Sequence, residues 1–319
     1  MLIGALAWAF GLAAVAAPSA SSQAGGPGPL ADSVRTILAS AHGQAQVGLL
    51  AISLDRGDTL AALHGERRLI PGSSAKLFTT SAFLRRFGAA ATCTTLVEAR
   101  GRADRGSGGS VRFKGDLVLR GSGAPDVTQL LSPGSRGLLD SLAALLKAGR
   151  LDRFEGTLWI DGTRFAPEPY APSWALEDVP HAYGAPVNAI MANGNAATLV
   201  ATAGPRGVTF AFEPPEVSLT VESRARVVGA GDPAWMDLER RPFDPRLRVR
   251  GAIPIDGTIR KQVSLADPDS AAGLMMLGAL GRAGIEVKNA RVRIVPHAGD
   301  PAVTAGASEI GRASCRERV

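Results

Sequence analysis

Ser73 and Lys76 lie three residues apart and could act together as a nucleophile and its base. A serine hydroxyl is a weak nucleophile until a base within hydrogen-bond reach accepts its proton. Residues three apart on a helix share one face, so Lys76 would lie one turn below the Ser73 hydroxyl. Unpaired N–H groups at the start of such a helix favour negative charge nearby. The pair predicts acyl transfer through a covalent serine ester, with Ser73 as the nucleophile and Lys76 as the general base.

The spacing alone is weak evidence, because serine followed three residues later by lysine is common by chance. Lysine is scarce in this chain, however, and only Lys76 follows a serine at that spacing. The other lysines are Lys114, Lys147, Lys261 and Lys288.

The elements around the pair suit this chemistry. Residues 46–54 form a β-rich run, a turn follows at 55–58, and residues 59–64 predict a second strand. Pro71 and Gly72 predict a tight entry into a helix over residues 74–87, which carries an apolar face behind the pair. The expected local plan is therefore a hairpin that leads through a short loop into a serine-bearing helix.

Four stretches in order carry a resemblance to a known family: residues 70–79, 115–126, 183–189 and 265–268. On these stretches, residues 46–308 resemble the class C low-molecular-mass penicillin-binding proteins, which are D-alanyl-D-alanine carboxypeptidases and endopeptidases. The resemblance implies an α+β fold, in which a domain like those of penicillin-binding proteins and serine β-lactamases is interrupted by a long β-rich insertion. The implied segments are the penicillin-recognising domain at 23–95, the insertion at 96–248, and the resumed domain at 249–308.

The last eleven residues, 309–319, depart from the preceding composition and read as a translated sequencing adapter. We therefore expect the natural sequence near Ser308 to continue differently, with the C-terminal part of the catalytic domain missing here. The family's two further motifs, S-x-N and K-T-G, do not occur in the chain. A fragment without them is expected to be inactive.

The resemblance implies a serine hydrolase of cell-wall metabolism that acts on peptidoglycan stem peptides through an acyl-enzyme on Ser73. It implies inhibition by β-lactams, which acylate the same serine, and it implies no cofactor. Two alternatives stay open. One is a non-catalytic peptidoglycan-binding relative that never forms an acyl adduct. The other is a related β-lactamase or esterase, which would turn its substrate over instead of remaining blocked.

Composition sets broad limits on the chain. With 319 residues, 45% hydrophobic and 20% charged, it reads as a folded protein with two or more domains. The net charge of +6 could favour an anionic partner, although biased arginine usage is the simpler interpretation. Basic residues interleaved with aromatic ones, as a nucleic-acid-binding protein would have, are missing.

Residues 2–17 are continuously apolar and are followed by small residues. They predict a signal peptide over residues 1–22 and a periplasmic or extracytoplasmic location, with an uncleaved membrane anchor as the alternative. Cys93 reads as a small buried apolar residue rather than a nucleophile. The four histidines have no ligand spacing, so we predict no metal site.

The rest of the chain predicts helices over residues 32–41, 137–149 and 270–284, strands over 111–120 and 156–161, a strand-rich segment over 198–230, and a strand pair over 247–259 around Pro254. Residues 101–110 predict a surface loop. Asp126 could contact a substrate, but we favour a turn or capping role for it. Asn188, Asn193 and Asn195 could bind a peptide, but we favour an inter-domain turn there, packed by Tyr183 and Val187.

Overall fold

The computed structural model describes residues 29–41, 46–126, 137–166, 168–300, 303 and 308–316. These residues fall into two compact units, one ending at Ala82 and the other beginning at Phe83. The predicted signal peptide lies outside the described residues. Within the described ranges, no helix has both the length and the apolar character needed to cross a bilayer.

The first unit contains the predicted hairpin. Helix α1 spans Pro29–Ala41, strand β1 spans Leu49–Ile52, and strand β2 spans Thr59–Leu63. The two strands are antiparallel, and their turn is closed by the Ser53 N–H, which donates to the Asp58 carbonyl at 2.9 Å. Helix α2, Ala75–Phe87, follows and continues across the division between the units. The prediction of a hairpin that leads into a serine-bearing helix is confirmed.

Strands dominate the second unit. Its elements in chain order are β3 (Thr92–Arg105), β4 (Val111–Arg120), β5 (Ala124–Pro125), α3 (Leu138–Ala148), β6 (Leu151–Asp161), β7 (Ile190–Met191), β8 (Ala196–Gly204), β9 (Gly207–Glu213), β10 (Thr220–Val228), β11 (Trp235–Glu239), β12 (Arg246–Pro254), β13 (Thr258–Ser264), α4 (Pro268–Arg282), β14 (Glu286–Ile294) and β15 (Ser308–Arg316).

A five-stranded sheet with the order β14-β6-β4-β3-β15 forms the centre of this unit. Alternate residues of each strand point to the same side of the sheet, and those on the side that faces the core are apolar. Helices α3 and α4 pack in the same core as that face. The most buried members of this core include Leu117, Leu119, Leu142, Phe154, Leu158, Ile160 and Met276. The predicted helices at 137–149 and 270–284 are confirmed.

Two smaller sheets complete the unit, with the orders β13-β8-β9 and β10-β12-β11. The sequence predicted a strand pair over residues 247–259, and both strands are present, but their pairing with each other was wrong. Strand β12 lies between β10 and β11, whereas β13 pairs with β8. The turn in which the Gly257 N–H donates to the Pro254 carbonyl redirects the chain from one sheet to the other.

The surface loop predicted at residues 101–110 was wrong over its first half, because β3 continues to Arg105. Gly101 lies opposite Gly115 of β4, and its φ is 155°. A Cβ on Gly101 would come within 2.3 Å of the Lys114 carbonyl oxygen. Glycine is therefore required here by the close approach of two strands and not by a loop.

The segment boundaries at 95/96 and 248/249 stay predictions. Strand β12 crosses the second boundary, and β14 pairs with β6 in the central sheet. Strand β15, which contains most of the segment interpreted as a sequencing adapter, pairs antiparallel with β3. This pairing does not bear on the origin of the segment.

Candidate active site

The structure brings Ser73 and Lys76 together as the sequence predicted. Ser73 lies in a 3-10 turn at Gly72–Ser74, and Lys76 lies in the first turn of α2. The Lys76 Nζ donates a hydrogen bond to the Ser73 Oγ at 2.9 Å. This is the distance over which a proton can pass between a hydroxyl and an amine. The arrangement can therefore generate a serine nucleophile at a helix N-terminus.

The tight entry expected from Pro71 and Gly72 is present. Gly72 has a φ of 52°, which a glycine adopts without steric cost. The Pro71 carbonyl accepts from the Ser74 N–H at 3.0 Å, which starts the 3-10 turn. This local geometry orients Ser73 over the first turn of α2. The first turn of α2 contains no acidic side chain that would neutralise the partial positive charge at the start of the helix.

Neither member of the pair is buried. Ser73 and Lys76 are exposed, and α2 has no buried residue. The Leu77 and Phe78 side chains, whose apolar character predicted packing, are 71% and 75% exposed. The described residues therefore leave both members of the pair open to solvent.

The other stretches that carried the resemblance meet in the second unit. Strand β5, which ends the 115–126 stretch, pairs with β7, and the Asp126 carboxylate accepts from the Leu138 N–H at 2.9 Å. Asp126 therefore supports the start of α3, which confirms its predicted capping role. The Asn188 Nδ2 donates to the Asp269 Oδ1 at 2.6 Å, and the Asn195 Nδ2 donates to the Asn188 Oδ1 at 2.8 Å.

This amide–carboxylate network is internal, so it holds the stretches together instead of presenting amides to a ligand. Asn195 is fully buried and Asn188 nearly so. The predicted packing by Tyr183 was wrong, because its side chain is 72% exposed and its ring stacks on His181 with centroids 5.2 Å apart. The sequence did not predict Asp269 as a partner of Asn188, because the two residues are 81 positions apart and no local pattern links them.

The surroundings of the Asp269 carboxyl disfavour its charged form. Burial raises its pKa, and the charges of Asp267 and Asp161 add to this, while the hydrogen bond from Asn188 opposes it. Its pKa in the folded protein thus lies above the ordinary value of 3.8. Stability contributed by Asp269 is complete in acid and is lost as the pH rises through the raised pKa.

We therefore expect the substitution Asp269→Asn to stabilise the protein more at pH 7 than at pH 4, because asparagine keeps the bond from Asn188 without the buried charge. Urea unfolding of both proteins at the two pH values measures the difference. Asp256→Asn, at an exposed turn position, is the matched control. An Asp269→Asn effect that is equal at both pH values would contradict this assignment.

No group of three or more His, Cys, Asp or Glu side chains that could hold a metal ion occurs among the described residues. Cys93 is a free, half-buried thiol on β3.

A serine–lysine pair at a helix start, preceded in the chain by a hairpin, is typical of the low-molecular-mass penicillin-binding proteins. The D-Ala-D-Ala carboxypeptidase 3 (S13) family matches residues 30–306, and the chain belongs to this family. The D-alanyl-D-alanine carboxypeptidase of Actinomadura sp. (strain R39) is 28% identical over 250 residues, which cover 76% of this chain and 44% of that protein. The D-alanyl-D-alanine carboxypeptidase DacB of Haemophilus influenzae is 23% identical over 210 residues, covering 65% of this chain and 41% of that protein.

The fold is similar to that of solved relatives. Penicillin-binding protein 4 (dacB) from Haemophilus influenzae superposes with a TM-score of 0.64 at 19% identity, covering 84% of this chain and 56% of that chain. The same protein complexed with a β-lactam superposes with a TM-score of 0.57 at 17% identity, covering 84% and 54%. These matches confirm the predicted fold class. The chain spans less than half the length of the curated relatives it matches.

Proposed function

We propose that the full-length protein containing this chain is a serine-type D-Ala-D-Ala carboxypeptidase and endopeptidase that acts on peptidoglycan stem peptides. The observation that carries this proposal is the 2.9 Å contact between the Lys76 Nζ and the Ser73 Oγ. Membership of the S13 family supports the substrate class. Export by a leader at residues 1–22 is part of the proposal, since the polymer lies outside the cytoplasm.

The proposed reaction has two halves. The Ser73 Oγ attacks the carbonyl carbon between two D-alanines, and a neutral Lys76 Nζ takes the hydroxyl proton as general base. The amide of Ser73 donates one hydrogen bond to the developing oxyanion. The carbon–nitrogen bond then breaks, and the leaving D-alanine takes up the proton. Water attacks the resulting ester, which releases the shortened peptide and restores the hydroxyl. A β-lactam enters by the same attack on its ring amide.

The exposure of α2 explains why the 319-residue chain should be inactive by itself. A neutral lysine requires a desolvated setting or positive neighbours, and the exposed pair has no desolvated setting. We propose that the rest of the full-length protein covers the exposed side chains of Leu77 and Phe78 and supplies the missing wall of the site.

A peptide ending in D-Ala-D-Ala distinguishes the proposal from its alternatives. We expect the full-length protein to release D-alanine from this peptide. After treatment with penicillin this release should stop, and the protein should stay blocked. A protein that binds the peptide without releasing D-alanine would be a non-catalytic relative. Rapid recovery with hydrolysed penicillin in solution would identify a β-lactamase instead. Either result would overturn the proposed function.

A further inference from the structure

A cavity of about 690 Å³ lies in the second unit, well separated in sequence from the serine–lysine pair. It is bounded by the sheet β13-β8-β9 on one side and by helices α3 and α4 on the other. A volume of this size is typical of sites that hold small organic molecules. Its apolar lining comes from Leu139, Ala192, Pro214, Pro215 and Met275.

Two ion pairs, each between an arginine and a carboxylate, line the cavity. Arg260 donates from two nitrogens to the carboxylate of Glu213, one bond being 3.1 Å long. Arg282 donates to Asp140 at 2.9 Å. These four side chains are partly exposed, so a ligand in the cavity can contact them. The Arg260 side chain is 53% exposed, so its guanidinium remains accessible to a ligand.

Three neutral polar side chains, those of Asn193, Thr198 and Gln262, contribute to the lining. The Asn193 Oδ1 is a buried acceptor with no partner in the structure as described. Thr198 and Gln262 lie opposite each other in the register of β8 and β13, and both line the cavity. A buried acceptor without a partner is unfavourable, and an N–H group of a ligand would satisfy it. Amide-like donors and acceptors of this kind match a peptide backbone.

The charge balance narrows the class of ligand. Two arginines, Arg260 and Arg282, face three carboxylates, those of Asp126, Asp140 and Glu213. Both arginines are already paired with carboxylates, so a phosphate or another polyanion would have to displace one of these carboxylates from its arginine. A ligand with one carboxylate and one ammonium group can pair its carboxylate with an arginine and its ammonium with a carboxylate of the lining.

We propose that this cavity binds a short zwitterionic peptide, namely a stem-peptide segment held at a second site apart from Ser73. The choice of stem peptide rests on the proposed function. The peptide carboxylate contacts the exposed guanidinium of Arg260, and its ammonium lies beside the carboxylates of Glu213 and Asp140. Its amides pair with Asn193, Thr198 and Gln262. Small side chains such as those of alanine contact the apolar lining.

The test is titration of Nα-acetyl-L-lysyl-D-alanyl-D-alanine, which carries one ammonium and one carboxylate group, into the 319-residue chain carrying Ser73→Ala, followed by calorimetry and saturation-transfer NMR. The Ser73→Ala background removes turnover and leaves the cavity unchanged. We expect saturable binding that weakens about tenfold when Arg260→Ala or Gln262→Ala is added, because each removes a hydrogen bond to the ligand. Far-UV circular dichroism checks that each variant is folded.

The chain offers matched controls. The Arg248 side chain is 53% exposed, as is that of Arg260, and it also pairs with a glutamate, Glu222, outside this cavity. Arg248→Ala and Gln46→Ala should leave the affinity unchanged. Absence of peptide binding, equal affinity in the cavity variants and the controls, or preferential binding of inorganic phosphate would each overturn the inference. Penicillin acylation of Ser73 is measured separately, so the proposed function can hold when this inference fails.

Discussion

The substitution Lys76→Ala is expected to slow penicillin acylation of the full-length protein about 10³-fold, the contribution typical of a positioned general base. The reason is the direct contact between the Lys76 Nζ and the Ser73 Oγ, which gives the hydroxyl proton a place to go. The measurement is the rate of labelling with a fluorescent penicillin at a fixed concentration. Lys76→Arg should be equally slow, because a guanidinium stays protonated in proteins and cannot accept a proton.

Lys114→Ala is the matched control for this experiment. Lys114 is an exposed lysine paired with Glu155 in the second unit, so its removal takes away one positive charge without touching the pair. Its acylation rate should equal that of the wild type. An acylation rate for Lys76→Ala within threefold of wild type would show that another group accepts the proton.

The substitution Gly156→Ala is expected to destabilise the second unit by about 4 kcal/mol, which combines backbone strain with a steric clash. Gly101, Gly115 and Gly156 lie side by side on β3, β4 and β6. Gly156 has a φ of 143°, and a Cβ on it would lie 1.9 Å from the Gly115 carbonyl oxygen. Because this oxygen belongs to the backbone of a central strand, it cannot move without disturbing the sheet.

Urea unfolding followed by tryptophan fluorescence measures this effect, since Trp159, Trp174 and Trp235 all lie in the second unit. The control variant Gly207→Ala separates the cost of backbone strain from the cost of the steric clash. Gly207 also has a positive φ, 115°, but a Cβ there would meet nothing within 4 Å. We expect it to cost about 1–2 kcal/mol from strain alone. Equal losses in the two variants would show that the close approach of the strands is not responsible.

Local sequence signals were sufficient for the candidate site itself. The three-residue spacing of Ser73 and Lys76, the entry at Pro71 and Gly72, and the apolar face of α2 are all features of one turn or one helix. Their geometry depends on backbone rules that act within a few residues. For the same reason the hairpin and helices α3 and α4 were predicted close to their observed bounds.

Features assembled from distant segments could not be predicted in the same way. Asn188 and Asp269 are 81 residues apart, and no periodicity links them. The cavity collects Arg260, Gln262 and Asn193 from separate elements whose proximity depends on the sheet order. The apolar face of α2 was predicted, but its exposure was not, because periodicity identifies a face without identifying what covers it.

The chain's own cleavage sites permit the most direct test of the nucleophile. Trypsin cuts after Arg68 and Lys76, which isolates residues 69–76 with Ser73 and Ser74 as the two hydroxyls. After the full-length protein is treated with penicillin, mass spectrometry should find this peptide heavier by one penicilloyl group, with fragment ions that place the group on Ser73. Ser74→Ala should still be labelled. An adduct elsewhere, or labelling that persists in Ser73→Ala, would contradict a Ser73 acyl-enzyme.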